Sequence, residues 1–486
     1  MFKVKFTNIK RGGFLKQYRK LAINTFLFAI GNDGSRSISF LLLPLFTRYM
    51  VPSDYGKLDV INTTVSLLVP LLSFQIIEAT FRFAADVKET GKGKNVFSSA
   101  FLFSFLALLL SVCLYPLLRN IDIFAEFSLY FYSIFFLTAL NGVVKQFVRG
   151  LEKIKLYVVS DILYSGVFAG SNVILLVVMK LGIRAYLLSN IIALLSSILF
   201  IFFSAGLAKY LSPRIDRKTL KEMLSYSIPL IPNGIMWWMV NASDRYFLSY
   251  FIGYEATGMY SVASRFPSLI TTLYAVFFQA WQLSAIEEFG KEDYSRFFKN
   301  VFGMLSSVMF LGSSVLFLLI KPFMRVYVGA TYFESWKYTV FLFLGAVFNT
   351  FASFYGVNYT ASKRTAGAFS TSVIAATTKV AVVLSLIKIL RIQAASISTF
   401  LAYFVMWIVR IFHTRKIVKV ELDVKHIVSS SAIVITQAIF LLMIESTVLL
   451  YVLQAVLLTI LLWSQREYIS KAFRFGRSLL GSKAKK

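Results

Sequence analysis

The segment "FAIGNDGSRSISFLLLPLF" (28–46) decides the fold class, because a long apolar stretch here carries both an acid and a base. As a helix, the stretch from 21 to 49 would be about 43 Å long, enough to cross roughly 30 Å of hydrocarbon. Arg36 lies near its centre, so snorkelling cannot bring the guanidinium to either membrane surface. We therefore predict a membrane helix with one polar face that lies against protein or water.

The polar residues of this helix share one face. At about 100° per residue they fall within roughly one third of the helix circumference; they are Asn24, Asn32, Ser35, Arg36 and Ser39. Asp33 lies three residues before Arg36, within reach of an ion pair. Two interpretations remain open. Either the polar face lines a cavity, in which Asn32 and Arg36 are candidates for binding a ligand and Asp33 for binding an ion, or Asp33 and Arg36 form a buried structural pair.

The composition extends this interpretation to the whole chain. Of the 486 residues 57% are hydrophobic, and the mean hydropathy is +0.71, far above that of an ordinary globular protein. Apolar stretches of membrane-spanning length recur from end to end, so we predict an all-α polytopic membrane protein. One cysteine and two histidines exclude a disulfide framework and argue against a Cys/His zinc site, so no metal is expected.

We predict about fourteen transmembrane helices in two six-helix lobes, followed by a C-terminal helix pair. Their approximate limits are 21–49, 58–82, 96–118, 126–148, 157–179, 185–208, 226–252, 259–283, 298–320, 337–361, 368–390, 395–412, 427–445 and 447–464. The predicted domains are a basic N-terminal segment (1–20), the N-lobe (21–208), a cytoplasmic linker (209–225), the C-lobe (226–412), a second cytoplasmic linker (413–426), the helix pair (427–464) and a basic cytoplasmic tail (465–486). The N-terminal segment is either an interfacial amphipathic helix or a basic tail.

Lysine and arginine are distributed unevenly between alternate loops. With the N-terminus inside, the inside segments carry 34 of the 51 lysine and arginine residues and the outside segments carry 9. Because these residues gather in cytoplasmic loops, both termini are predicted to lie in the cytoplasm. The same asymmetry accounts for most of the net charge of +28, so the charge does not indicate nucleic acid binding.

A weak internal repeat relates the two lobes. "VPSDYGKLDV" (51–60) follows the first span and "GYEATGMYSV" (253–262) follows the seventh, with Gly56 and Gly258 at the same place, 202 residues apart. This pattern is typical of a transporter built from two parallel repeats.

A second pair of segments corresponds in position. "VRGLEKIKLY" (148–157) follows the fourth span, and "TASKRTAGAF" (360–369) follows the tenth. The two segments share their place in the predicted topology, but few of their residues are identical.

Further charges lie deep within the predicted spans, and their balance is positive. Arg245, Arg265 and Lys379 lie beyond the reach of snorkelling, with Asp244 as the nearby acid. We expect these three bases to form one water-accessible site with Arg36. Such a site suits an anion, because arginine binds phosphate bidentately, and it does not suit a cation channel.

Other candidates carry structural alternatives. Arg82 is a further candidate for substrate binding, but it can also pair with Glu78 four residues earlier. Asn241 is another candidate for substrate binding, and Asp161 joins Asp33 and Asp244 as a candidate for ion coupling.

Two groups of residues have a simpler expected role. The seventh span contains helix-breaking residues that are candidate hinges, although such kinks also occur without function; they are Pro229, Pro232 and Gly234. Three bases lie near span ends, where snorkelling explains them; they are Lys145, Lys337 and Arg410.

Three motifs carry a family resemblance. They are "LLLPLFTRYMVPSDYGKLDVINT" (41–63), "VKQFVRGLEKIKLYVVSDIL" (144–163) and "NASDRYFLSYFIGYEATGMYSVASRF" (241–266). The chain that bears them resembles the polysaccharide flippases, of O-antigen and capsule type, in the multidrug/oligosaccharidyl-lipid/polysaccharide exporter superfamily. The resemblance extends over most of the chain and does not identify a substrate.

The resemblance implies two six-helix lobes around a central cavity lined by spans 1, 2, 7 and 8. Arg36, Arg82, Arg245 and Arg265 lie on those four spans. The implied cargo is an undecaprenyl-pyrophosphate-linked oligosaccharide, moved from the inner to the outer leaflet of the bacterial cytoplasmic (inner) membrane by alternating access. Membrane lipids, a polysaccharide polymerase and a chain-length regulator are the expected partners.

Other functions remain in competition. An ion-coupled multidrug antiporter of the same superfamily should show an excess of cavity acids. A membrane enzyme needs catalytic acids at a membrane face, and the longest outside loop, 321–336, offers only Glu334, so we predict no enzyme. A non-transporting component of a polysaccharide synthesis complex is a further alternative. No cofactor is expected, and no GxxxxGK[ST] motif occurs, so a proton or sodium gradient, the membrane potential or the substrate gradient would drive transport.

The loop charges predict the topology directly. Reporter fusions at Lys486 and within 321–336 should give opposite signals, because the former segment is predicted inside and the latter outside. Matching signals from the two fusions would contradict the fourteen-span topology.

Overall fold

Long apolar runs form helices in a membrane because a helix satisfies its backbone hydrogen bonds internally. The computed structural model describes residues 38, 40–113, 115–418, 422–468 and 470, and every regular element there is helical. Eleven of these helices are long and apolar enough to cross a membrane, or up to twelve if a bent pair counts as one span. The predicted all-α polytopic membrane fold is confirmed. The described residues contain eleven or twelve candidate spans, whereas about fourteen are predicted for the whole chain.

Several predictions fall outside the described residues. They concern the N-terminal segment 1–20, the polar stripe with Asn32, Asp33 and Arg36, and most of the tail 465–486. The roles given to these residues stay predictions.

The chain divides into two compact units. Unit 1 includes residues 61–234, and unit 2 includes residues 43–60 and 235–468. The helices up to the middle of the chain are α1 Leu43–Tyr49, α2 Pro52–Leu72, α3 Ile76–Ala85, α4 Gly93–Val112, α5 Ser128–Gly150, α6 Ile154–Asn172, α7 Ile183–Ala205 and α8 Arg217–Ser227. Those that follow are α9 Ile231–Ala242, α10 Asp244–Phe251, α11 Tyr254–Glu288, α12 Tyr294–Tyr327, α13 Trp336–Ala361, α14 Thr365–Leu390, α15 Ile392–Thr414, α16 Val424–Met443 and α17 Thr447–Ser464.

Aromatic side chains fill the interior of each unit. In unit 1 the rings of Phe97 and Phe147 lie 4.8 Å apart between centroids. In unit 2 Trp281 stacks on Phe354 at 4.1 Å. These offset and tilted pairs add ring–ring attraction to the close packing of the helices.

The predicted second span (58–82) is not a continuous helix. It is divided between α2 and α3, which are bent by 58°. Phe74 and Gln75, between them, both adopt left-handed backbone conformations with φ of 50° and 56°. Pro70 lacks an amide hydrogen and so removes one helical hydrogen bond just before the break. Hydropathy alone does not register this interruption, because the break is only three residues long, Ser73 to Gln75, and apolar runs lie on both sides of it.

The predicted seventh span (226–252) is also divided, into α9 and α10. Ser243 lies between them, and its Oγ donates to the Met239 carbonyl at 2.5 Å; such back-bonding often bends helices. Of the candidate hinge residues, Pro229 lies in the short turn between α8 and α9, and Pro232 and Gly234 lie in the first turn of α9. Their hinge role stays a prediction.

The repeated glycines mark a close crossing of α2 and α11 in unit 2. A Cβ added to Gly56 would lie 1.9 Å from the Tyr254 carbonyl oxygen, and one added to Gly258 would lie 1.9 Å from that of Pro52. Pro52 and Tyr254 themselves occupy equivalent positions in the repeat. Each glycine therefore contacts the residue that is equivalent to the other glycine's partner. Small residues permit such close backbone approach between membrane helices.

The second pair of repeated segments forms two similar turns. Glu152 in unit 1 and Lys363 in unit 2 both adopt a left-handed conformation with φ of 59°. In each turn the amide of the next residue donates to the carbonyl five residues earlier, at 3.1 Å in unit 1 and 2.8 Å in unit 2. This bond closes the C-terminal end of a helix in the manner of a Schellman motif.

The C-terminal helix pair, α16 and α17, is joined by the short turn that the sequence predicts around Ser446. Gln437 and Gln454 each donate a side-chain amide to the other's backbone carbonyl, at 3.2 and 2.8 Å. Both are completely buried. The pair therefore holds the two helices together through polar bonds in an apolar setting.

The glycine crossing can be tested by adding a single methyl group. Gly56→Ala should lower the free energy of unfolding by at least about 1–3 kcal/mol, because the new Cβ would overlap backbone rather than a flexible side chain. Denaturant titration of the purified protein in detergent measures this. Gly170→Ala in α6 is the matched control, since nothing lies within 4 Å of its added Cβ. Equal stabilities of the two variants would contradict the crossing.

Candidate functional site

Asp59, in the second turn of α2, organises a charged cluster in unit 2. Its Oδ2 accepts hydrogen bonds from Arg245 Nε at 2.8 Å and Ser261 Oγ at 2.5 Å, and its Oδ1 lies 3.8 Å from Arg265 Nη2. Asp59 and Ser261 each lie three residues after a crossing glycine, so the close crossing brings them together. Asp59 is only 8% exposed, and its charge is compensated by the two arginines.

Arg245 is held by protein on several sides. Nη1 donates to the Asn241 carbonyl at 2.9 Å and Nη2 donates to Ser264 Oγ at 3.2 Å. The guanidinium carbon also lies 5.3 Å from the centroid of the Tyr260 ring. Arg245 is therefore a fixed positive group. Arg265 has the more exposed side chain, 36% against 14%, so it presents its charge to a ligand more readily.

A second ion pair is sealed beside the first. Lys379 Nζ lies 2.6 Å from Asp244 Oδ2, both side chains are 1% exposed, and the ammonium also donates to the Val240 carbonyl. Tyr260 Oη and Thr399 Oγ1 donate to the same carboxylate oxygen at 2.6 and 3.2 Å. Asp244 Oδ1 is buried and has no hydrogen-bond partner in the described part of the chain.

A cavity of about 250 Å³ borders both ion pairs. Asn241, Asp244, Arg245, Arg265 and Tyr403 contribute to its lining, and Tyr403 Oη donates to Asn241 Oδ1 at 2.8 Å. Two acids here face three bases: Asp59 lies against Arg245 and Arg265, and Asp244 lies against Lys379. The cluster therefore carries a net charge of plus one. Its bases and polar side chains are suited to an anion that is attached to hydroxyl-bearing groups.

The structure brings four predicted residues together but gives them partners that differ from the expected ones. Arg245, Arg265, Asn241 and Asp244 all line the cavity. Asp244 and Arg245 are adjacent in sequence, yet they bind different partners because successive helical residues are about 100° apart. Lys379, expected to be water-accessible, is 0% exposed, so its charge is used in holding Asp244.

Asp59 is the candidate that the sequence analysis does not identify. It lies one residue inside the predicted limit of the second span, where an acid can reach water and needs no partner. The repeat carries a signal for it, because Asp59 corresponds to Ser261 and follows the repeated glycine. Only the crossing of the helices shows that these two positions meet.

Arg82 and Asp161 belong to unit 1 and have their own partners. Arg82 Nη1 lies 2.7 Å from Asp86 Oδ2, so its acid is Asp86 rather than Glu78, and both side chains are about half exposed. Asp161 forms an ion pair with Lys145, and its second oxygen is buried without a hydrogen-bond partner among the described residues. The functional roles suggested for Arg82 and Asp161 stay predictions.

Arg410, expected to snorkel like Lys145 and Lys337, is buried instead. It is 3% exposed and donates to the Ala352 carbonyl at 2.7 Å and to Thr371 Oγ1 at 3.0 Å. Neighbouring helices thus supply polar partners that a single-helix argument cannot foresee. No group of three or more His, Cys, Asp or Glu residues in the described ranges could hold a metal ion.

The helices and the charged cluster define a polytopic α-helical membrane protein with a polar site in its second unit. Residues 21–282, more than half of the chain, match the family described as "Polysaccharide biosynthesis protein". The chain belongs to this family. No curated protein matches the sequence.

Solved structures show the same fold. The chain is similar to the lipid II flippase MurJ in an inward closed conformation, with a TM-score of 0.67 and 14% identity over 94% of this chain and 100% of that chain. It is similar to a MATE family multidrug resistance transporter of the MOP superfamily in an inward-facing conformation, with a TM-score of 0.66 and 12% identity over 79% of this chain and 94% of that chain. An outward-facing MATE structure has a TM-score of 0.57, with 13% identity over 81% of this chain and 94% of that chain. The family match confirms the predicted relation to polysaccharide biosynthesis proteins, and the chain shares its fold with these transporters.

The sealed ion pair predicts a non-additive pattern of stabilities. Lys379→Met should lower the free energy of unfolding by about 3–5 kcal/mol, because it leaves the Asp244 carboxylate uncompensated. The double variant Asp244→Asn with Lys379→Met should recover most of that loss. Lys337→Gln, which breaks the half-exposed pair with Glu334, should cost less than about 1 kcal/mol. Additive losses in a denaturant-based double-mutant cycle would show that the pair is not coupled.

Proposed function

We propose that this chain is a flippase that moves an undecaprenyl-pyrophosphate-linked oligosaccharide from the inner to the outer leaflet of a bacterial cytoplasmic membrane by alternating access. The observation that carries the proposal is the net positive cluster around Asp59, within a fold that is shared with a lipid II flippase. A diphosphate group is matched by arginine forks, which bind its oxygens bidentately. Membership of the polysaccharide biosynthesis family supports a cargo that carries sugars.

In this proposal the two arginines have different tasks. Arg265 takes the diphosphate, because it is the more exposed and its 3.8 Å contact with Asp59 is longer than a direct hydrogen bond. Arg245 stays bound to Asp59 and supplies a fixed positive field. Asn241 and Tyr403, joined by a hydrogen bond on the same cavity wall, offer amide and hydroxyl groups to the sugars.

A multidrug antiporter is the second candidate, because MATE transporters share the fold. A cationic drug would need an acid whose charge is not already compensated. Asp59 and Asp244 are both paired with bases, and the cluster as a whole is positive. This charge balance favours the anionic cargo over a cationic one.

Ion coupling is proposed at buried carboxylates. Asp244 Oδ1 and Asp161 Oδ2 are each buried without a hydrogen-bond partner in the described ranges, so each has an oxygen that can accept a proton. Asp33 stays a third candidate on sequence grounds. The proposal includes cytoplasmic termini, no catalytic reaction and no cofactor, with a polymerase and a chain-length regulator as partners in the membrane.

The proposal is tested by measuring the movement of a lipid-linked oligosaccharide across liposomes that contain the purified protein. Arg265→Gln should slow movement by at least about tenfold, since one charge-assisted contact with the diphosphate is lost. Arg265→Lys should recover part of the rate, because lysine keeps the charge but not the fork. Arg184→Gln, an exposed arginine in a predicted outside loop, is the control with the same charge loss.

The outcomes separate the three candidates. Unchanged movement in Arg265→Gln and Arg245→Gln would contradict the proposed site. Export of a cationic dye, with no movement of lipid-linked oligosaccharide by the wild-type protein, would identify an antiporter. Absence of both activities in the wild-type protein would favour the non-transporting component.

A further inference from the structure

A second cavity in unit 2, of about 450 Å³, is lined by bases. It lies where the turn between α13 and α14 meets the end of α15. Lys363, Arg364 and Lys416 line it together with Tyr359 and His413, and its lining contains no acid. The three bases are exposed, and their side chains have no ion pair or hydrogen bond with any residue that the structure describes.

The fold does not require bases at this turn. The corresponding turn in unit 1 has the same geometry, with Glu152 in the left-handed position that Lys363 occupies in unit 2. The next residue in the unit 1 turn, Lys153, donates to the Ala205 carbonyl at 3.3 Å. Its counterpart Arg364 makes no such side-chain bond within the described residues. The turn geometry is therefore independent of the positive charge, and that charge is available for a ligand.

Two wall residues of this cavity are joined by a hydrogen bond, and groups near the wall add positive charge. The Tyr359 hydroxyl and His413 Nδ1 share a hydrogen bond of 2.9 Å. A Cβ added to Gly367 would lie 2.7 Å from the Tyr359 ring and 2.8 Å from the His413 ring, so glycine lets the first turn of α14 approach this wall. The N-terminal end of a helix carries partial positive charge. Arg410, buried behind Tyr359 with its guanidinium carbon 5.9 Å from the ring centroid, adds a further full charge.

We propose that this cavity binds a phosphate group carried by a lipid headgroup. All of its lining residues except Tyr359 lie within 363–367 and 413–417, in loops predicted to face the cytoplasm, where anionic headgroups attract clustered lysine and arginine. Arg364 supplies a bidentate fork and the two lysines supply point charges, a combination suited to phosphate oxygens. The cavity shares no lining residue with the one beside Asp59, so the proposal does not depend on the identity of the transported cargo.

Binding is measured on the purified full chain in detergent. Retention of added phosphatidylglycerol against phosphatidylcholine is followed by native mass spectrometry, and binding of inorganic pyrophosphate by calorimetry. The pocket variant combines Lys363→Gln, Arg364→Gln and Lys416→Gln. The control variant combines Arg214→Gln, Lys218→Gln and Lys221→Gln, which removes the same charge from exposed positions in another predicted cytoplasmic loop.

The expected result is that the pocket variant binds phosphatidylglycerol at least about tenfold more weakly, while the control variant changes by less than about twofold. A loss confined to pyrophosphate would overturn the lipid headgroup as the ligand and identify a soluble phosphate in its place. Equal affinities for both ligands in the wild type and the pocket variant would overturn the site. Equal losses in the two variants would overturn it as well, since they indicate general charge attraction. If the pocket variant is not monodisperse, Lys416→Gln and Arg364→Gln are measured singly, and an unchanged affinity in both overturns the proposal.

Discussion

The carboxylate of Asp59 at a helix crossing is the constraint on which the second unit depends. An ionised acid with little access to water needs opposite charge close by, and Arg245 and Arg265 supply it from α10 and α11. The carboxylate also accepts a hydrogen bond from Ser261 at 2.5 Å, which is possible only because α2 and α11 touch backbone to backbone at two glycines. Close packing and charge compensation therefore require each other: a wider crossing would leave the acid short of partners.

The pair of Asp244 and Lys379 extends this arrangement to α14, and Thr399 extends it to α15. Tyr260 connects the two pairs, since its hydroxyl donates to Asp244 while its ring lies against Arg245. The result is a connected polar network in which most groups already have protein partners. Of the two arginines beside Asp59, Arg265 has the more exposed side chain and the longer contact with the carboxylate. Side chains that already have protein partners lose little conformational entropy when a ligand binds beside them.

The internal repeat shows how one backbone geometry can carry different charges in the two units. The turns at Glu152 and Lys363 have the same left-handed residue and the same closing hydrogen bond. Their charges differ, because the unit 1 turn includes an acid and satisfies Lys153 with a backbone carbonyl, whereas the unit 2 turn presents its bases to a cavity. Backbone geometry was kept while the chemistry of the exposed side chains diverged.

The sequence by itself determined the helical membrane fold, because a run of about 20 apolar residues has one low-energy conformation in hydrocarbon. It also determined the repeat, through the glycines at equivalent places, and it located Arg245, Arg265, Asn241 and Asp244 as deep polar residues. The tertiary structure alone decided which charges meet. Asp59 lies at the edge of an apolar run and so gives no signal of burial, and Asp244 pairs with Lys379 rather than with its neighbour Arg245. Such pairings depend on the rotation and register of one helix against another, which arise from contacts between residues far apart in sequence and leave no trace in the periodicity of either helix.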